Sequence, residues 1–156
     1  MRVFVYFNLH KRRWSLKAMD GPSKGRVVAH ADKVLLRDCV FRVSEAGRQR
    51  VLQTKRKAVH AGVVGDLEAF TGVPTPAAGW QPSRPWMLED MRLARYAVEH
   101  GEQVFYDPYK VASFVNLEAW TLGEVVPEWR ATMVYLSIWG GRNVFTFDPC
   151  DMEEWS

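Results

Sequence analysis

DCVFRVSEAGRQRVLQTKRKAVHAGVVGDL, residues 38–67, contains a strand pattern, a helix pattern and a second strand pattern in direct succession. Along residues 38–43, the apolar side chains at 39, 41 and 43 alternate with those at 40 and 42, which is typical of a half-buried strand. Ser44 can accept a hydrogen bond from a free backbone N–H, so it predicts the start of a helix over residues 44–57. Residues 59–67 return to an extended pattern. This succession predicts a fold that combines a sheet with helices.

The predicted helix carries the densest positive charge in the chain. At 100° per residue, Arg50 and Lys57 project together, away from Val51 and Leu52. Such a face can bind phosphates or an acidic protein. The alternative is an ordinary solvated helix surface, because a short basic run is a weak signal. With neighbouring basic and aromatic residues, the candidate binding residues are Arg12, Arg13, Arg48, Arg50, Lys55, Arg56, Lys57, Tyr109 and Lys110.

Outward from this stretch, short runs rich in β-branched and aromatic residues predict further strands. They cover residues 2–8, 14–18, 26–31, 33–36, 103–106, 112–117, 132–139 and 144–148. Residues 14–18 are predicted to return beside 2–8, and 144–148 to pair with 132–139 in a hairpin. A second helix is predicted to end at His100 and Gly101, with an apolar stripe of Met91, Ala94 and Val98. We therefore predict the α+β class, with a mainly antiparallel curved sheet or small barrel and two packed helices.

The length of 156 residues predicts a single domain over 1–156. Residues 71–86 are rich in proline, which indicates a long loop. Together with the second helix, this loop is predicted to form an insertion at 71–101. The acidic tail at 149–156 is predicted to fray.

Charge divides the chain into two unlike halves. Residues 1–78 hold fifteen Lys and Arg against six Asp and Glu, whereas residues 79–156 hold six against twelve. The basic half indicates a polar or anionic partner, unless the two halves simply complement each other in packing. No apolar run is long enough for a spanning helix, so no membrane association is predicted. Cys39 and Cys150 form no C-x-x-C pair, which favours reduced, cytosolic thiols.

The catalytic candidates are two histidines and a tyrosine. His30 and His60 lie in predicted strands, where a neutral histidine with one hydrogen bond is the common state. If their strands are neighbours, the pair can act as general acid and base, with Tyr106 as a third member. The spacing of the four histidines fits no metal site, and no motif for a cofactor is present, so neither a metal nor a cofactor is predicted.

Several segments together resemble a family of small bacteriophage-encoded proteins that has no assigned activity. The segments are Val-Tyr-Phe-Asn-Leu-His (5–10), Gly-Arg-Val-Val-Ala-His-Ala (25–31), Ser-Glu-Ala-Gly-Arg-Gln-Arg-Val (44–51), Lys-Ala-Val-His-Ala (57–61), Tyr-Asp-Pro-Tyr-Lys (106–110) and Ser-Phe-Val (113–115). The resemblance covers residues 2–66 and about 103–117. It implies a phage product that acts in the cytoplasm of a bacterial host, and it carries over no catalytic residue.

Three functions follow from these observations. The first is a binding protein without catalysis, whose basic face holds nucleic acid, a phosphate-rich ligand or an acidic host protein and thereby modulates a host enzyme or defence complex. The second is a small enzyme acting on a nucleotide or nucleic acid through His30, His60 and Tyr106. The third is a structural or assembly component of the virion. Convergence of the three candidate residues in one pocket would favour the second, and a large exposed apolar patch would favour the third.

Overall fold

The computed structural model describes residues 1–8, 10–43, 61–75, 92–105, 129–138 and 143–150. In chain order the elements are β1 (Arg2–Asn8), β2 (Arg13–Ala18), β3 (Val27–Val43), β4 (Ala61–Pro74), α1 (Arg92–His100), β5 (Glu102–Phe105), β6 (Trp129–Ser137) and β7 (Asn143–Phe147). Within the described ranges, α1 is the only helix, and none of their residues forms a helix that could span a membrane.

The strands form one seven-stranded antiparallel sheet in the order β2-β1-β4-β3-β6-β7-β5. Because β2 also pairs with β3, strands β1 to β4 close into a ring. Strands β6, β7 and β5 extend the sheet from the part of β3 that does not pair with β2. The two hairpins predicted from sequence, β1–β2 and β6–β7, are both present.

The long strand β3 connects the ring to the extension. Up to Ala31 one of its edges pairs with β2, and from Lys33 onward the same edge pairs with β6. Asp32 lies at the changeover, where the register with β4 shifts, and its carbonyl accepts a hydrogen bond from the Ile138 amide at 3.1 Å. A bulge of this kind bends the strand, which lets it serve both parts of the sheet.

One side of the sheet, called here the inner side, carries the main core. All seven strands contribute to it, and Trp14, Phe41 and Phe70 are its largest fully buried side chains. Full burial of one such side chain stabilises a fold by about 1.5–3 kcal/mol. Strict alternation in β1 sends Val3, Val5 and Phe7 inward and the residues between them to the opposite, outer side.

The outer side has a second, smaller core beneath α1. It consists of Leu35, Ala69, Ala94, Tyr96, Ala97, Met133, Tyr135, Phe145 and Phe147. The apolar stripe predicted for this helix is wrong at Val98, which is 54% exposed, while Tyr96 and Ala97 are buried in its place. Ala94 is buried as predicted, and Met91 falls outside the described residues, so that part of the stripe stays a prediction.

The predicted α+β class with two packed helices is wrong. The described part of the chain is predominantly antiparallel strand with one short helix, although the curved sheet agrees with the prediction. The strand β3 was predicted as three short strands, with a break near Asp32 and a new strand beginning at Asp38. Both instead lie at register shifts inside a single strand of 17 residues, and Asp38 adopts a left-handed φ of 53° there.

Two further predictions concern segments that the structure describes only in part. Residues 71–74, assigned to the proline-rich loop, form the end of β4. The remainder of that loop, the predicted helix at 44–57 and residues 151–156 of the tail lie outside the described residues, so the insertion and the frayed tail stay predictions.

Candidate functional site

A turn stabilised by hydrogen bonds joins β1 to β2 and exposes the basic residues of this hairpin. The Asn8 side-chain oxygen accepts hydrogen bonds from the backbone amides of His10 at 3.0 Å and Lys11 at 3.1 Å. The Arg12 amide donates to the Asn8 carbonyl at 2.8 Å, and Arg12 itself takes a left-handed φ of 55°. Asparagine side chains commonly stabilise such turns by bonding the backbone that follows. The Lys11 and Arg12 side chains are exposed as a result.

Behind this turn, a polar chain crosses three strands on the outer side. Ser15 in β2 lies directly opposite His30 in β3, and the Ser15 hydroxyl is 2.9 Å from His30 Nδ1. The Asn8 amide donates to the same hydroxyl at 3.3 Å. When the hydroxyl in turn donates to Nδ1, the proton of the neutral imidazole lies on Nε2. In that tautomer, His30 is a hydrogen-bond donor at Nε2.

The charge state of His30 is set by its surroundings. Burial, followed by the positive charges of Lys11 and Arg13, lowers the pKa of His30 below its usual 6.5. The imidazole is therefore neutral at pH 7. A phosphate bound nearby would offset the two cations and favour the protonated ring.

Arg13 is held in place by an ion pair across the strands. Its Nε lies 2.7 Å from Asp32 Oδ1, and both side chains are partly exposed. A pair of this type contributes at most about 1 kcal/mol to stability, but it fixes the direction of the guanidinium. Within the described part of the chain, no ion pair involves three other cations of this hairpin, Lys11, Arg12 and Lys17.

Aromatic residues lie beside the polar chain on the same side of the sheet. Tyr6 stands opposite Ser15, and Phe4 stands opposite Lys17. The Phe4 and Tyr6 rings stack with centroids 5.7 Å apart. Residues directly opposite in an antiparallel pair share one face, so Tyr6, Ser15 and His30 form a row across β1, β2 and β3. We call this row, with Lys11 to Arg13, Asn8 and Lys17, the hairpin face.

The sequence-predicted site residues fall into two groups. Arg12, Arg13 and His30 are described, and the structure brings them together on the hairpin face. The others lie outside the described residues, so whether they join this face stays a prediction; they are Arg48, Arg50, Lys55, Arg56, Lys57, His60, Tyr106, Tyr109 and Lys110.

Asn8, Ser15 and Tyr6 were missed as site residues. The sequence did place these three residues in one predicted hairpin, formed by the strands that became β1 and β2. What was lacking was the register that sets Ser15 opposite His30, which depends on the length of the turn.

The described residues offer little for covalent or metal chemistry. Ser15, although bonded to a histidine, is 0% exposed and cannot reach a substrate. Burial raises the pKa of the Cys39 thiol to about 12, so the nucleophilic thiolate is absent at neutral pH. No cluster of three or more potential metal ligands occurs among the residues that the structure describes.

Comparison with known proteins sets the context of this site. The family model of the Mycobacterium phage L5 gene 82 protein matches residues 1–137. The chain belongs to this family. The gene 82 protein of Mycobacterium phage L5 is 44% identical over 150 residues, which cover 91% of this chain and 94% of that protein. No solved structure matches the chain. The resemblance to a small phage-encoded family is thus confirmed, and the family match spans the hairpin face completely.

Proposed function

We propose that this phage-family protein is a binding protein without catalysis and that its hairpin face holds nucleic acid. The observation that carries the proposal is the pair of exposed cations, Lys11 and Arg12, on a turn whose backbone is fixed by Asn8. Cations held on a fixed backbone bind phosphates with little loss of conformational freedom. In a host cell, such binding would modulate the host's nucleic-acid enzymes or a defence complex.

Nucleic acid fits this face better than an acidic protein does. Aromatic Tyr6 and the imidazole of His30 lie within the basic surface, and rings among cations suit bases among phosphates. An acidic protein would be attracted by the charge alone. Its binding is therefore an outcome of the test rather than a second proposal.

The test reverses the two exposed charges and compares the result with a matched reversal elsewhere. Lys11→Glu/Arg12→Glu changes the turn between β1 and β2. Lys24→Glu/Arg26→Glu makes the same change in net charge at the turn that follows β2, where both side chains are also exposed. Anisotropy of a labelled 30-nucleotide DNA, titrated over a range of salt concentrations, measures binding.

We expect the first double variant to bind at least about tenfold more weakly, with a salt slope reduced by about 1.5 to 2 for two lost phosphate contacts. The second double variant should stay within about threefold of the parent protein. Equal losses in both would mean that only net charge matters and would overturn the site. Binding of polyglutamate without any binding of DNA would assign the face to an acidic protein instead.

A further inference from the structure

We infer that the hairpin face selects single-stranded over double-stranded nucleic acid, by stacking unpaired bases on Tyr6 and His30. This inference rests on the proposed function, because it specifies which nucleic acid the same face takes. It adds two residues, Tyr6 and His30, as the determinants of that selectivity.

The geometry places the two rings at a suitable distance. Tyr6 and His30 flank Ser15 on neighbouring strands, so they are two strand spacings apart, about 10 Å. Ser15 is small and fully buried between them. The two larger side chains close over Ser15, and both are themselves half-buried, so part of each ring reaches the surface.

Each ring is held by its neighbours and need not be ordered by the ligand. Tyr6 stacks on Phe4, whose ring lies where a side chain at Gly62 would otherwise stand. The Ser15 hydroxyl fixes the His30 imidazole through Nδ1. Rings that are already oriented lose little freedom on binding, which favours affinity. The neutral imidazole also presents Nε2–H to a base or a phosphate oxygen.

The cations lie where the sugar-phosphate backbone of a bound nucleic-acid strand would pass. Lys11 and Arg12 are at the turn, Arg13 is on β2 at the same end, and Lys17 lies two positions beyond Ser15 on the same side. If the phosphates of a single strand bind these cations in turn, its bases can lie over the rings of Tyr6 and His30. A duplex offers its phosphates to the same cations, but its bases are stacked on one another and cannot reach Tyr6 or His30. Selectivity must therefore come from the rings.

The experiment measures affinity for a mixed-sequence single strand of DNA, the same strand as RNA, and the corresponding DNA duplex, all at one salt concentration. The variants are Tyr6→Leu and His30→Leu, which remove the ring but keep apolar bulk. Tyr6→Phe is the matched control, because it retains the ring and removes only the hydroxyl. Circular dichroism and thermal melting verify that each variant is folded.

We expect the parent protein and Tyr6→Phe to bind either single strand at least about tenfold more tightly than the duplex. Tyr6→Leu and His30→Leu should each lose roughly tenfold for the single strands and stay within about twofold for the duplex, in line with the loss of one stacked base. Should Tyr6→Leu fail to fold, His30→Leu alone decides the comparison.

Two failures are distinguishable. If the parent protein binds the duplex as tightly as the single strands, or if the ring variants weaken all three probes alike, the inference is overturned while the proposed function stands. If none of the three probes binds in a salt-dependent manner, the proposed function falls as well. A preference for RNA over DNA among the single strands would extend the inference to contacts with the 2′-hydroxyl.

Discussion

The outer side of one sheet carries two regions of opposite character. Over β6 and β7 it presents Met133, Tyr135, Phe145 and Phe147, and α1 covers them. Over β1, β2 and the start of β3 it presents the hairpin face, with polar, basic and aromatic side chains. The strands of both regions are antiparallel members of one sheet. The side chains at alternate positions therefore decide which region is covered by the protein's own helix and which can be used for binding.

The difference also concerns how each region is stabilised. The helix-covered region depends on apolar burial, which is strong and needs no particular orientation. The hairpin face depends on directed contacts, namely the turn held by Asn8, the Ser15–His30 bond and the Arg13–Asp32 pair. Each of these contributes about 1 kcal/mol or less. Substitutions should consequently affect stability in the first region more than in the second.

The largest effect is expected from a charge placed under the helix. Ala97 is fully buried against the sheet, whereas its neighbour Val98 is 54% exposed. Ala97→Lys should lower the free energy of unfolding by at least about 3 kcal/mol, because the ammonium has no partner there. Val98→Lys, one residue away on the same helix, should change it by no more than about 0.5 kcal/mol. Urea unfolding followed by circular dichroism measures both, and similar losses would mean that α1 does not pack as described.

The next largest effect is expected at Gly62, on the outer side of β4. A Cβ there would run into the Val5 carbonyl and the Phe4 ring. Because the carbonyl belongs to the backbone and cannot move aside, Gly62→Ala should cost about 1–3 kcal/mol. Val73→Ala is the control, since Val73 is on the outer side of the same strand and is 57% exposed. An unchanged melting temperature for Gly62→Ala would show that Phe4 does not lie over this glycine.

The two regions were not equally predictable from the sequence. In β1 the run of valines and aromatic residues was sufficient to assign the strand, and the alternation of Val3, Val5 and Phe7 with Phe4 and Tyr6 matches its inner and outer sides. Strict alternation is informative because it has a single structural interpretation. The hairpin β6–β7 was predicted because a turn signal at 140–143 separates two strand-like runs.

The sequence divided β3 into three predicted strands, because a polar residue such as Asp32 has two interpretations. Aspartate is typical of turns, yet here Asp32 and Asp38 occupy bulges inside a continuous strand. Which interpretation applies depends on the partner strands β2, β4 and β6, which are distant in sequence. The same reason explains the missed site residues, since nothing near Ser15 in the sequence indicates His30 as its partner.

A smaller effect is expected from two serines that are buried in the described part of the chain, one in each region. Ser15 bonds His30, and Ser137 bonds the hydroxyl of Tyr135. Ser15→Ala and Ser137→Ala should each lower the free energy of unfolding by about 1–2 kcal/mol, the usual result of losing the partner of a buried polar group. Only Ser15→Ala should alter the NMR titration of the His30 ring. An unaltered titration in that variant would mean that the hydroxyl does not hold the imidazole.

The smallest effect is a pH dependence confined to the hairpin face. The pKa of His30 is lowered in the folded protein, by burial and by Lys11 and Arg13. The unfolded chain therefore takes up a proton at this residue near pH 6.5, before the folded protein does. The contribution of His30 to stability is complete above pH 6.5 and is lost as the pH falls from there to the lowered pKa.

His30→Gln should remove this part of the pH dependence, while His10→Gln, an exposed residue of the same hairpin, should leave it in place because His30 is retained. Melting temperatures measured between pH 8 and pH 5 provide the comparison. Bound single-stranded DNA should raise the pKa of His30, because phosphates beside Lys11 favour the protonated ring, and binding then takes up a proton. Affinity for DNA should accordingly rise as the pH falls through this range in the parent protein, and should rise less in His30→Gln. If both proteins gain affinity equally, the imidazole is not in contact with the phosphates, and the cations of the turn bind them without it.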